Sequence, residues 1–214
     1  MSVRFDCTDP VERAAGLREA IAAVRRGELV VLPTDTVYGV GADAFAPQAV
    51  ARLLEAKGRG RNMPSPVLVG SPDDLDRLVD DLPGLARELV AAFWPGGLTV
   101  VARHKPSITW DLGDTGGTVA VRMPDHPVAV DLLKATGPLA VSSANLTGKP
   151  SPQDCDAAQD MLGQTVAVYL DGGPTEAAVP SSIVDVTGEA PVLVRAGAIN
   201  AAQLREVAPG LREG

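Results

Sequence analysis

Three cations fall within five residues, Lys57, Arg59 and Arg61, alternating with Gly58 and Gly60. Glycines let a backbone approach a ligand closely, so the segment forms a compact positive site suited to phosphate. The same residues suit the end of a helix, where basic side chains complement the dipole and glycine takes the cap. Both readings stand at this point. The turn Pro33-Thr34-Asp35-Thr36-Val37-Tyr38-Gly39 gathers two hydroxyls, a carboxylate and a phenol directly after the apolar run Leu29 to Leu32. In open α/β sheets ligands bind at such strand ends; the alternative is a turn whose side chains hydrogen-bond their own backbone. Ser142-Ser143-Ala144-Asn145 follows the run Leu139 to Val141 in the same way. Arg122 and Arg195 each close a strand-like segment, so each faces either a shared cleft or a surface ion pair. Hydroxyls and an amide are hydrogen-bonding groups and do not make a catalytic triad.

Several chemistries are excluded by what is missing. Neither GxxxxGK[ST] nor GxGxxG occurs, so the phosphate cradles of P-loop enzymes and of dinucleotide-binding folds are absent. The only histidines, His104 and His126, have no cysteine or carboxylate at ligand spacing, and no protein metal site is expected. A net charge of -8 and only seven aromatic residues oppose a broad nucleic-acid surface or a base-stacking platform. Cys7 and Cys155, far apart in sequence, form neither a disulfide framework nor a CxxC pair, which points to a reducing compartment. The start MSVRFDCTDP has no apolar signal core and no window reaches the length of a membrane span, so a cytoplasmic protein without membrane contact is expected.

The elements that must position these residues follow from periodicity and punctuation. With 214 residues, 45% of them apolar, and no linker or repeat, the chain is expected to be one domain spanning 1–214. Asp9-Pro10 starts a helix that stops near Gly27; Pro47 to Lys57 forms a second, stopped by Gly58. Two more helical stretches follow Ser71-Pro72 and Pro83-Gly84; others span His126 to Ala135, begin near Asp154, and run from Asn200 through Val207. Strands are expected at 29–32, 67–69, 98–102, 118–122, 139–141, 166–170, 183–186 and 192–194. Alternating helices and strands with late clustered strands predict an α/β fold whose sheet mixes parallel and antiparallel strands between flanking helices.

Taken together and in order, Pro33 to Gly39, Lys57-Gly58-Arg59, Thr118 to Pro124, Ser143-Ala144-Asn145 with Gly148 to Pro152, Ser181 to Asp185 and Val194 to Gly197 resemble the YrdC/Sua5 family over roughly residues 15 to 200. The resemblance implies a twisted mixed α/β sheet around a concave basic cavity, without the second domain of longer Sua5 members. It implies synthesis of L-threonylcarbamoyl-AMP and pyrophosphate from L-threonine, bicarbonate or CO2, and ATP with Mg²⁺, for N6-threonylcarbamoyladenosine modification of tRNA. It also implies transfer of the product to downstream threonylcarbamoyl-transfer machinery, with direct tRNA binding weak or absent. Carried over by position, Thr36, Thr118, Arg122, Ser181 and the backbone at Val141 are threonine-contacting. Lys57, Arg59, Ser143, Asn145, Ser151 and Arg195 are nucleotide-binding, Lys57 and Arg59 being catalytic as well, and Arg61 is an extra cation toward the triphosphate. Two departures stand out. The segment Gly60 to Val67 is two residues longer than the family pattern, leaving Asn62 or Ser65 to replace an asparagine, and Gly70 stands where a histidine is common. The rival reading is a non-catalytic RNA-binding module of the same fold.

Overall fold

The structure is a computed structural model that describes residues 2–175 and 179–214. Among these, the strands are β1 (Val3–Asp6), β2 (Val30–Leu32), β3 (Gly39–Asp43), β4 (Val67–Leu68), β5 (Leu98–Arg103), β6 (Thr118–Arg122), β7 (Leu139–Ser143), β8 (Val168–Asp171), β9 (Ser182–Asp185), β10 (Val192–Arg195) and β11 (Arg212–Glu213). The helices are α1 (Pro10–Arg25), α2 (Pro47–Ala56), α3 (Asp73–Leu78), α4 (Gly84–Phe93), α5 (Pro127–Thr136), α6 (Cys155–Leu162) and α7 (Ala201–Val207). One sheet runs in the order β1-β8-β2-β3-β7-β4-β6-β5-β9-β10-β11. Its pairings mix both directions: β2 is parallel to β8 and antiparallel to β3, and β6 is parallel to β4 and antiparallel to β5. The expected mixed sheet between helices is the architecture found.

Local chemistry explains the helix starts. The Asp9 carboxylate accepts the amides of Val11 and Glu12, and Pro10 opens α1 where no N–H is needed. Asp154 and Asn200 cap α6 and α7, the latter in a reciprocal capping box with Gln203. Three strands escape a pattern-based reading. β1 and β11 are short, four and two residues, and β3 is Gly-Val-Gly-Ala-Asp, which has little strand propensity. Its glycines serve an approach between strands: a Cβ at Gly39 would lie 2.7 Å from Val141 Cγ1 on β7.

Alternation divides the side chains between two cores. Leu29 and Val31 enter one and Val30 and Leu32 the other, as expected of a strand buried on both faces. The larger core holds α2, α4, α6 and α7 against Val100, Val121, Val184 and Leu193. The smaller packs α1 and α5 on β2, β7 and β8 and, among the described residues, includes none from β5, β6, β9 or β10. That face of the sheet is therefore open beside α5, and Thr99, Arg122 and Ile183 point into the opening. Arg195 joins them because β10 carries an extra residue: Leu193 pairs with Val184 but Arg195 with Ile183, a bulge that turns Arg195 away from the core face that Leu193 occupies.

The exit of β10 then passes close to the entry of β9. The Ala198 amide donates to the Pro180 carbonyl at 2.9 Å, and a Cβ at Gly197 would stand 2.3 Å from that same oxygen. Gly197→Ala should therefore lower stability by about 1–3 kcal/mol, read as a lower urea midpoint. An unchanged midpoint would contradict this packing.

Candidate active site

The opening encloses about 240 Å³. Its wall is built from the β2–β3 turn (Thr34, Thr36, Val37), the segment after α2 (Arg59, Pro64, Pro66), the end of β6 (Arg122), β7 and its exit (Val141, Ser142, Ser143), Ser151, and the β5–β9–β10 edge (Thr99, Ser181, Arg195). Segments separated by well over a hundred residues thus converge on one cavity of arginines and small hydroxyls.

Arg122 lies deepest, with only 6% of the residue exposed. Its Nε donates to the Gly96 carbonyl at 2.9 Å, Nη1 to Thr36 Oγ1 at 2.9 Å, and Nη2 to the Asp35 carboxylate at 2.5 Å. Burial pushes its pKa down, Asp35 pushes it up, and nearby Arg195 lowers it again; burial prevails. The group remains a cation, because an arginine starts far above any working pH. Asp35 also accepts the Asp125 amide at 2.9 Å, so the carboxylate is fixed from two sides. Of the five N–H hydrogens on the guanidinium, three are used and two remain for a ligand.

Arg195 donates from Nε and Nη2 to the Ser181 carbonyl and from Nη2 to Ser181 Oγ at 3.1 Å; Ser181 Oγ in turn lies 2.8 Å from Thr99 Oγ1. The buried Nε of Arg59 has no protein partner among the described residues. Burial lowers the pKa of both Arg59 and Arg195, and neither has a carboxylate within ion-pair distance among the described residues. Two of the three wall arginines thus offer unneutralised positive charge in a partly desolvated site, which strengthens their pull on an anion.

The basic segment resolves into three different fates. Gly58, at φ +62°, caps α2, and the Arg59 amide bonds the Leu54 carbonyl at 2.9 Å, so the helix-cap reading holds for the backbone. Arg59 nevertheless lines the cavity. Lys57 turns inward instead: 1% exposed and absent from the cavity wall, it donates from Nζ to the carbonyls of Ser143 and, at 2.6 Å, Asn145. It ties the end of α2 to the β7 exit and so shapes the wall without forming part of it. Arg61 lies outside, bidentate to Asp111 at 2.8 and 2.9 Å and 3.4 Å from Asp114. This pairing holds Arg61, expected as an extra cation toward the triphosphate, off the cavity wall.

Of the candidate residues, Thr36, Arg59, Arg122, Val141, Ser143, Ser151, Ser181 and Arg195 come together on the wall. Thr118 does not. It shares a strand face with Arg122 but lies at the far end of β6, opposite Arg103, and gives its hydroxyl hydrogen to the Thr115 carbonyl at 2.8 Å. Asn145 is also off the wall; its Nδ2 donates to the Leu146 and Lys149 carbonyls, and its buried Oδ1 has no protein partner among the described residues. Of the two stand-ins for the family asparagine, Asn62 is exposed, while Ser65 is buried between wall residues Pro64 and Pro66 with its Oγ unpartnered among the described residues. Gly70 leaves no room for a side chain, since a Cβ there would meet the Lys134 amide nitrogen at 2.8 Å. Thr99 was not foreseen; its signal was one hydroxyl in the apolar run Leu98 to Ala102.

No group of three or more His, Cys, Asp or Glu side chains comes together as a metal site among the described residues. Both cysteines are free and buried, and burial pushes the Cys7 thiol up to about 11 and that of Cys155 up to about 12. Neither is a nucleophile at neutral pH. Among the described residues no helix is long and apolar enough to cross a membrane.

Residues 22–197 match the Sua5_yciO_yrdC family, described as "Telomere recombination". The chain belongs to this family. A Mycobacterium tuberculosis (strain ATCC 25618 / H37Rv) protein provisionally named a threonylcarbamoyl-AMP synthase is 54% identical over 207 residues, 97% of this chain and 95% of that protein. The Bacillus subtilis (strain 168) threonylcarbamoyl-AMP synthase is 40% identical over 193 residues, 89% of this chain and 56% of the relative. The solved structure of P. abyssi Sua5 complexed with L-threonine superposes with a TM-score of 0.90 at 34% identity, covering all of this chain and 62% of that one. The chain thus spans nearly the whole mycobacterial relative and a little over half of the other two.

Burial and Arg59 together lower the Lys57 amine to about 8, from lysine's usual 10.5. Between these values the unfolded chain binds more protons than the folded one, so stability rises with pH across the window. Wild-type protein should therefore gain stability relative to Lys57→Met as pH increases from 8 toward 10.5, measured as the difference in urea midpoints. A difference independent of pH would contradict the buried, weakly basic amine.

Proposed function

We propose that this chain is an L-threonylcarbamoyl-AMP synthase, making the adenylate and pyrophosphate from L-threonine, bicarbonate or CO2, and ATP, for N6-threonylcarbamoyladenosine formation in tRNA. The observation that carries the reading is the cavity itself, in which Arg59 and Arg195 have no carboxylate partner among the described residues and stand beside the deeper, hydroxyl-bound Arg122. An amino acid fits the enclosed 240 Å³, while the bulk of a nucleotide extends into the open mouth. Family membership and the relatives' names support the same activity.

In this reading the two spare N–H groups of Arg122 hold the threonine carboxylate, with Thr36 beside it and Ser181 nearby. The amine of threonine adds to CO2 and loses a proton to give a carbamate. A carbamate oxygen then attacks the α-phosphorus of ATP, the bond from that phosphorus to the bridging oxygen breaks, and pyrophosphate leaves. Arg59 and Arg195 neutralise charge on the phosphates and hold the reacting groups in line, and Ser143 and Ser151 donate hydrogen bonds to the nucleotide. Lys57 acts from behind, holding the Ser143–Asn145 backbone in place. The wall carries no carboxylate among the described residues, which suits Mg²⁺ held by phosphate oxygens and water, with wall hydroxyls as further oxygen donors. When bound, the ion supplies charge neutralisation on the phosphates.

A non-catalytic RNA-binding role is opposed by the net charge of -8. Arg4, Arg13, Arg26, Arg61, Arg77, Arg87 and Arg205 stand in ion pairs with carboxylates, whereas Arg18, Arg25, Arg52, Arg103 and Arg212 are exposed with no carboxylate within ion-pair distance among the described residues. The adenylate is labile and passes to downstream threonylcarbamoyl-transfer machinery in a compartment shared with it, the cytoplasm.

Pyrophosphate release with ATP, Mg²⁺ and bicarbonate should depend on L-threonine, and release unaffected by L-threonine would refute the reading. Arg59→Ala and Arg195→Ala should each reduce kcat/KM by about a hundredfold, the usual scale for removing one charge-stabilising donor. Arg61→Ala should stay within about twofold, as surface substitutions do.

A further inference from the structure

Between α2 and β4 the chain runs without helix or strand, and this arm carries two wall residues of the cavity, Arg59 and Pro64. Gly60 to Met63, between them, are exposed, and none of the four enters either core. Among the described residues, one backbone hydrogen bond ties residues 60–64 to another part of the fold: the Asp114 amide donates to the Arg61 carbonyl at 2.8 Å. The turn that supplies it is far better anchored. Leu112 is 1% exposed in the larger core, and the Asp111 carboxylate accepts the Gly113 amide at 3.2 Å. Gly113 fits against the arm because it has no side chain. A Cβ there would stand 2.7 Å from the Arg61 carbonyl oxygen and 3.5 Å from Pro64 Cα, and its φ of +106° is one that glycine adopts readily. The Arg61 side chain adds ion pairs to Asp111 and Asp114, but these are exposed, where such pairs contribute little. Backbone contact therefore sets the position of the arm.

We propose that the 111–114 turn is a buttress for the anion site, with Gly113 as the positioning residue that sets where Arg59 meets the nucleotide phosphates. This rests on the reading of Arg59 as a phosphate ligand. Arg59 depends on its backbone more than the other wall arginines do. Arg122 and Arg195 each give N–H groups to protein acceptors, whereas the buried Nε of Arg59 has no protein partner among the described residues. The direction of Arg59 is therefore decided by the chain it grows from. None of residues 111–114 lines the cavity, so the turn acts on the site through the arm and not by touching substrate. It also acts on one end of the site alone. Arg122, at the end of β6, is held by Asp35, Thr36 and Gly96, all outside the arm. Displacing the arm weakens nucleotide binding and spares L-threonine.

Calorimetric titration of the full chain with α,β-methylene-ATP and Mg²⁺, an analogue that cannot release pyrophosphate, and separately with L-threonine reads the two ends apart. Gly113→Ala should weaken the analogue by about tenfold, equivalent to about 1.4 kcal/mol, and change L-threonine by less than about twofold. Gly116→Ala is the control. Gly116 also has a positive φ, +61°, but a Cβ there meets nothing within 4 Å, so the variant carries backbone strain without the contact and should keep both affinities. If Gly113→Ala does not fold, amide exchange in the wild type decides. Coupling between two sites is reciprocal, so the analogue should slow exchange of the Asp114 amide by about fivefold or more while L-threonine leaves it unchanged. Equal loss of both affinities in Gly113→Ala, equal weakening in Gly116→Ala, or equal slowing of Asp114 by both ligands would overturn the proposal, since a merely structural role affects both ends alike. Wild-type affinity for the analogue in Gly113→Ala defeats this inference alone. A wild type that does not bind the analogue also defeats it, and if pyrophosphate release does not depend on L-threonine either, the reading of the site falls with it.

Discussion

A guanidinium buried to the degree of Arg122 persists only if its charge and its hydrogens find partners, and those partners come from two stretches of chain distant from its own. Asp35 and Thr36 belong to the turn after β2, Gly96 to the loop before β5, and Arg122 itself to the end of β6. Removing one member of a buried pair typically costs about 3–5 kcal/mol because the remaining charge is stranded. The three segments are therefore held in one place, and that place is the deepest part of the cavity. Thr34 is ordered by the same turn, and Arg195 enters close enough to Arg122 to lower its pKa. The site is thus a consequence of how one buried cation is accommodated.

The distribution of the remaining charge follows from the two unequal faces of the sheet. One face is covered end to end by α2, α4, α6 and α7; the other is covered by α1 and α5 over only part of its width. The uncovered strands present polar side chains there, and the bulge in β10 adds Arg195 to them. Outside, seven arginines pair with carboxylates, as Arg61 does with Asp111 and Arg26 with Glu19 and Glu28. A protein of net charge -8 can therefore hold an anion site, because its acidic excess lies on the surface while Arg59 and Arg195 keep their charge in the cavity.

Much of this was legible in the sequence where local chemistry decides. Asp9, Asp154 and Asn200 mark helix starts with their own side chains, Gly58 marks a stop, and the continuous apolar run 29–32 placed β2 between two cores. The glycine-rich β3 was missed because its residues are chosen for the approach of Val141 rather than for strand propensity. Distinguishing Lys57, Arg59 and Arg61 was beyond local pattern. Their fates depend on the carbonyls of Ser143 and Asn145 and on Asp111, which are distant in sequence. Thr118 and Arg122 do share a face, but parity says nothing about which end of a strand meets the cavity. Arg195 shows the converse, since strict alternation from Leu193 would have placed it in the core and only the bulge reverses it.

The proposed activity requires Arg122 to anchor an amino-acid carboxylate. A crystal structure of the protein soaked with L-threonine tests this most directly. The expected result is a ligand in the Thr36–Arg122–Ser181 cavity with its carboxylate within hydrogen-bond distance of the Arg122 guanidinium. A ligand bound in that cavity with its carboxylate on Arg59 or Arg195 and no contact to Arg122, or bound outside the cavity altogether, would contradict it.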